Sequence, residues 1–191
     1  MGLAGCAGTG SRTETNPTPV VTGAPVAGQT KPEALYIYDF SLDLSKLPAA
    51  GDRAVLVQYR NDLRRAVSAK LLDFLNREKI PAFSYGKDLP LPAGNFWLLD
   101  GHFTRVDADS HALGLYEGKN SGRSVADAVV QVADLNRQPP MRILIFETSG
   151  AAAAEDISEQ NSQAALDREA SRMAREITAF FVDYYHKQGW L

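Results

Sequence analysis

Hydrophobic and polar positions divide the chain into stretches of different period. Residues 7–33 have none: Gly, Pro, Thr and Ala dominate, aromatics are absent, and nothing there can offset the entropy of ordering. Apolar positions become dense from residue 34. Residues 34–40 (ALYIYDF) form a short, aromatic-rich apolar run between Pro32 and Ser41, which reads as a strand covered on both faces. After a loop containing Pro48, Asp52 is placed to N-cap a helix of about 25 residues. Its apolar positions Leu56, Tyr59, Leu63, Val67, Leu71 and Phe74/Leu75 recur at about 3.6-residue spacing, and Pro81 stops it. Arg60, Arg64, Arg65 and Lys70 lie mostly off that stripe and read as a solvated face.

The second half alternates instead. Residues 82–85 predict a short strand, followed by a turn over 87–94 with Pro90 and Pro92. Residues 96–106 predict a longer strand with Trp97, Leu99, Gly101 and Phe103 on one face. A polar, glycine-rich stretch leads to a strand over 125–135, whose core face is Ala126, Ala128, Val130 and Val132. A turn over 136–140 precedes the last strand, 142–148. The final helix runs from about Ser162 to Lys187 on the stripe Leu166, Ala170, Met173, Ile177, Phe180/Phe181 and Tyr184. The order β-α-β-β-β-β-α predicts an α+β, two-layer domain: a mainly antiparallel sheet of about five strands with two long helices.

Composition narrows the partners. The 191 residues fit one domain of about 150 residues plus a tail, with 45% hydrophobic residues to build its core. A net charge of −3 argues against a nucleic-acid partner, which favours a basic patch. No apolar run approaches the roughly 20 residues of a membrane-spanning helix.

The single cysteine, Cys6, stands in Leu3-Ala4-Gly5-Cys6. This matches at every position the lipobox of bacterial lipoproteins, in which the cysteine thiol takes a diacylglyceryl group and the chain is cut before it. Only Met1 to Gly5 precede Cys6, short of the basic and apolar regions of a secretory signal, so either Met1 is an internal start or the chain was trimmed. Membrane attachment then rests on lipid, at about 0.8 kcal/mol per buried CH2 of its palmitate-like acyl chains. Ala7, where Asp is the usual inner-membrane retention signal, resembles an outer-membrane address. The domain plan is therefore a signal remnant with lipobox (1–6), a disordered tether (7–33) and one α+β domain (34–191).

Chemistry is harder to find. His102, His111 and His186 show no metal-binding spacing, and no Gly-x-Ser-x-Gly elbow occurs. Asp39, Asp100, Asp107 and Asp109 place carboxylates near strand ends, a chance outcome in a chain with 23 acids. The stretch 114–124 (GLYEGKNSGRS) is not a Walker A loop. Only three residues separate Gly114 from Gly118, Asn120 follows Lys119, and a strand follows where a helix should. It is longer than a hairpin needs, so Tyr116, Lys119 and Arg123 are candidates for a partner-contact loop, against a mobile connector. No catalytic residue, metal or cofactor is expected.

The strand 36–41, the Leu-rich helix, the Gly101 strand, the 114–124 loop and Val129-Val130-Gln131-Val132 together resemble an uncharacterised bacterial lipoprotein domain, family 4410 of domains of unknown function, over about residues 34–187. Family members carry arginines before a Gly-aromatic-Gly-small-Gly stretch; here His111 and Ala112 stand there, and Leu115, Tyr116 and Glu117 lie between the glycines. The resemblance implies a periplasm-facing lipoprotein without an assigned activity. The reading is a non-enzymatic, lipid-anchored envelope protein, at the outer membrane facing the periplasm, that binds another envelope protein as an accessory or assembly component. The alternative is a small-molecule or glycan-binding periplasmic module. A cleft with convergent polar groups would favour the alternative, and an exposed apolar patch or free sheet edge the first.

Overall fold

A computed structural model describes residues 28–43, 45, 52–86, 88–90, 92, 94–106, 115, 126–149 and 161–191. Its elements are β1 (Ala34–Tyr38), α1 (Arg53–Arg77), β2 (Ala82–Tyr85), β3 (Phe96–Val106), β4 (Ala126–Asp134), β5 (Met141–Ser149) and α2 (Ser162–Gln188). The strands form one mixed sheet in the order β2-β1-β3-β4-β5. The two short ladders, β1–β2 and β1–β3, are parallel, and the two long ones, β3–β4 and β4–β5, are antiparallel. Both helices pack together on one face of the sheet. The architecture is the two-layer α+β arrangement expected from the sequence pattern.

Both helices start as the sequence predicts. The Asp52 side chain accepts from the Ala54 N–H at 2.8 Å, and Asn161 accepts from Gln163 and Ala164. The stripe of α1, from Leu56 through Tyr59, Leu63, Val67 and Leu71 to Leu75, is buried along its length. After Arg77 the chain reverses through Lys79 at φ 60, and the Ile80 N–H returns to the Leu75 carbonyl. Gly189, at φ 69, ends α2 in the same way and turns Trp190 back onto Trp97 and Tyr185. There, Lys31 Nζ donates to the Trp190 carbonyl at 2.7 Å, and Asn95 donates to the Lys31 carbonyl. The packed structure therefore reaches back to residues 30–33, where Pro32 is buried. Residues 1–27 lie outside the described residues.

The covered face follows the predicted alternation. Leu35 and Ile37 of β1 lie beside Trp97 and Leu99 of β3, then Val132 and Val130 of β4, then Leu144 and Phe146 of β5. One irregularity serves this core. Between the pairs Ile37↔Leu99 and Ser41↔His102, β1 advances four residues while β3 advances three. The extra residue is a bulge that turns Phe40 inward. Its ring lies over Gly101, where an added Cβ would sit 2.1 Å from Phe40 Cε1, so only glycine fits. Phe40 is pinned by its own backbone: its N–H donates to Ser68 Oγ and its carbonyl accepts from Arg64 Nε.

The sheet corrects one expectation. The run at residues 34–40 reads as covered on both faces, yet both helices lie on one side and Tyr36 and Tyr38 remain half-buried on the other. Tyrosine allows this, because its ring packs while its hydroxyl stays wet.

Candidate functional site

The face without helices gathers aromatics that are distant in sequence. The parallel registers set Tyr36 beside Phe83, and Tyr38 beside Tyr85. On the other side of β1, the even-numbered residues Phe96, Leu98, Asp100 and His102 of β3 share this face. Tyr36 is the hub, with ring centroids 5.9 Å from Phe83, 5.9 Å from Tyr85 and 5.3 Å from Phe96. Tyr38 lies 5.9 Å from Tyr85. Such pairs each add about 0.5–1.5 kcal/mol beyond area burial, so the rings form a stable platform.

The β2–β3 connection touches this platform at Leu89. Since β2 and β3 both run parallel to β1, the chain must return from one end of the sheet to the other between them. The Tyr85 hydroxyl, on the open face, donates to the Leu89 carbonyl, which puts Leu89 on that side. Leu89 is 59% exposed, and Phe83, on the same face, is 54% exposed. These are two of the three large apolar side chains exposed among the described residues, and they sit on one surface.

Carboxylates border the aromatics. Asp39, Asp88 and Asp100 are exposed. Burial pushes the Tyr38 phenol above its usual range, and Asp100, Tyr85, Asp88 and Asp39 push the same way. Farther along the face, His102, Val129, Gln131 and Ile145 are half-buried and Glu147 is exposed.

The β2 edge is capped at its first residue. Leu35 N–H bonds the Pro81 carbonyl, so the N–H and C=O of Ala82 point away from β1. Both are met by one side chain: Asn76 Oδ1 accepts from Ala82 N at 3.1 Å, and Asn76 Nδ2 donates to Ala82 O at 3.0 Å. An amide thus takes the place of a neighbouring strand at this one residue.

The helix layer has a different feature, a cleft of about 480 Å³ lined by Phe74, Arg77, Glu78, Arg175, Thr178, Ala179 and Val182. The Arg77 and Arg175 guanidinium carbons lie 5.9 and 5.6 Å from the Phe74 ring centre. Arg77 is already paired with Asp73 at 2.8 Å. Among the described residues no group of His, Cys, Asp and Glu could hold a metal ion, and no helix is long and apolar enough to cross a membrane.

The sequence-derived sites Cys6, Tyr116, Lys119 and Arg123 lie outside the described residues, as do His111, Asp107 and Asp109. Leu115, beside Tyr116, is half-buried against the core. His186 is in the last turn of α2, as expected. What sequence reasoning missed is the platform. Its signal was present as Tyr-x-Tyr at 36–38 and Phe-x-Tyr at 83–85, but only the strand order β2-β1-β3 places them side by side.

No family model and no curated protein matches the sequence. Solved structures do. Protein XCC0632 from Xanthomonas campestris, of family 330 of domains of unknown function, aligns at a TM-score of 0.50 and 11% identity, over 91% of this chain and 98% of its own. A PelC dodecamer from Paraburkholderia phytofirmans aligns at 0.43 and 6% identity, over 84% and 98%. A Helicobacter pylori protein described as a neuraminyllactose-binding hemagglutinin homologue aligns at 0.40 and 12% identity, over 88% and 97%. At these identities the likeness is one of fold, shared with a domain of unknown function.

Proposed function

We propose that this chain is a non-enzymatic bacterial envelope lipoprotein, anchored through Cys6 at the outer membrane, whose domain binds another envelope protein through the open face of its sheet. The finer family assignment, family 4410, belongs to the same proposal. The observation that carries the binding role is the aromatic platform with Phe83 and Leu89 exposed on it. An apolar surface of this kind, on the side of the sheet that both helices leave bare, is what a protein partner covers. The lipid anchor rests on the Leu3-Ala4-Gly5-Cys6 lipobox.

The alternative, a small-molecule or glycan-binding module, has its best seat in the Phe74 cleft. Arg77 there is committed to Asp73, which leaves Arg175 as the cation facing a ligand.

The test uses the gene with its upstream codons. A photo-crosslinking residue at position 83 should yield a discrete protein adduct in intact cells, and the same residue at position 65, on exposed α1 surface, should not. No adduct at 83, or the same adducts from both positions, would sink the binding role. Labelling by a fatty-acid analogue should disappear in Cys6→Ser. An unlabelled wild-type chain would remove the anchor.

A further inference from the structure

We infer that the cleft of the helix layer binds an organic carboxylate with an apolar body. Its carboxylate oxygens accept from the guanidinium of Arg175, and its body lies along Phe74, Ala179 and Val182. The inference is independent of the partner-binding reading of the open face. It gives a chemical class to the ligand of the alternative reading.

The polar side chains that line the cleft are Arg77, Glu78, Arg175 and Thr178, and they differ in what they have left to offer. Arg77 is engaged by Asp73 through both prongs of its fork: Nε donates to Oδ1 at 3.0 Å, and Nη2 lies 2.8 Å from Oδ2. The Thr178 hydroxyl donates to the Ala174 carbonyl at 2.8 Å. Glu78, when ionised, can only accept. Arg175 is exposed and has no ion pair or hydrogen bond with a described residue. The sequence shows why. Arg77 and Lys187 each meet an aspartate four residues earlier, Asp73 and Asp183. At that spacing Arg175 has Ser171 and Ala179, neither of which carries a charge.

Arg175 is nonetheless held in place. Its guanidinium carbon lies 5.6 Å from the Phe74 ring centre. A cation–π contact of this kind draws on the charge of the group and consumes none of its N–H donors. What remains is a planar donor fork, positioned and unanswered, and a carboxylate is the group that matches it with two parallel hydrogen bonds. The ring that holds Arg175 also forms an apolar wall with Ala179 and Val182, so the anion's body has a surface to cover. The cleft, at about 480 Å³, is within the range of about 300–1,000 Å³ for small-molecule pockets. Glu78 limits the charge of the ligand: a like charge on the wall penalises a doubly charged phosphate ester more than a singly charged carboxylate. A glycan without an acidic group would leave the Arg175 fork unanswered.

The experiment titrates the full chain with octanoate and with octanamide, which keeps the shape and removes the charge. Calorimetry gives the affinities, and NMR shifts of the Arg175 side-chain N–H and Phe74 ring signals give the place. Octanoate should bind about tenfold more tightly than octanamide. Arg175→Gln should remove most of that preference while the melting temperature moves by no more than about 3 °C. Arg175→Lys keeps the charge without the fork and should retain only part of it. Arg65→Gln, on exposed α1 surface, should leave it whole. Equal binding of the two probes, binding of neither, an unchanged preference in Arg175→Gln, its loss in Arg65→Gln, or tighter binding of octyl phosphate would each overturn the inference. These failures are distinguishable. Octanamide bound as tightly as octanoate leaves the cleft a small-molecule site and removes the carboxylate class. Binding of neither probe removes the alternative reading as well. The crosslink at position 83, on the other side of the sheet, tests the open face whatever the cleft does.

Discussion

The two faces of one sheet show how the same strands can carry opposite tasks. On the covered face, Leu35, Ile37, Trp97, Leu99, Val130, Val132 and Phe146 are almost wholly buried under α1 and α2. On the open face, their immediate chain neighbours Tyr36, Tyr38, Phe96, Leu98, Val129 and Gln131 are only half-buried. Composition differs as well as exposure. The covered side is aliphatic with large rings locked among it, and the open side of β1 and β2 is almost purely aromatic, with carboxylates nearby. Stability therefore resides on one side of the sheet, and the proposed recognition surface on the other. A substitution at one position and at the next should have effects of different kinds.

The largest expected effect is on the covered side. Trp97→Ala should cost about 3–5 kcal/mol in denaturant unfolding, since Trp97 is fully buried and its ring meets Tyr184, Tyr185 and Trp190. A loss near 1 kcal/mol would show that the covered face is less tightly packed than its burial implies. Gly101→Ala should follow, at about 1–3 kcal/mol, because the new methyl meets the Phe40 ring. Adding Phe40→Leu should recover part of that loss, and a purely additive double variant would contradict the contact.

Alkaline titration separates the faces in another way. Burial, reinforced by Tyr184, pushes the Tyr185 phenol well above its usual range; burial also raises Tyr184. Unfolded tyrosine ionises near pH ~10, so the unfolded chain releases these protons first. Stability should be fully present below about pH 10 and decline as pH rises through the raised folded values. Tyr185→Phe should flatten that decline in melting temperature between about pH 9 and 11. Tyr38→Phe should flatten it less, because Tyr38 is only half-buried. Equal flattening by the two would erase the distinction.

The smallest expected effect on stability is Phe83→Ser. With 54% of Phe83 exposed, unfolding free energy should change by no more than about 0.5 kcal/mol, while partner capture falls sharply. Retained capture would move the recognition surface elsewhere.

Most of the fold was legible because its signals are local. The period of about 3.6 residues from Leu56 to Leu75 needs nothing beyond the segment itself, and the alternation from Trp97 to Phe103 gives both the strand and its inward face. The platform was not legible for the complementary reason. Residues 36–38, 83–85 and 96 become neighbours only through two parallel pairings, which local period does not encode. Tyrosine added to the difficulty, since an aromatic run reads as buried on both sides when one of its faces is wet. The bulge that brings Phe40 inward also breaks the period of two and hides which face it serves.

The position of β1 has a mechanical consequence. The chain enters the fold through this strand, which is hydrogen-bonded on both sides to neighbours running in its own direction. A pull on the N-terminal segment acts along the strand axis and loads both ladders in shear, so that many hydrogen bonds share the force at once instead of opening one by one. Before β1 can slide, the load must also part Lys31 from the Trp190 carbonyl and Glu33 from the Asn95 carbonyl. Single-molecule extension from that end should meet a higher unfolding force than peeling β5 from the opposite edge.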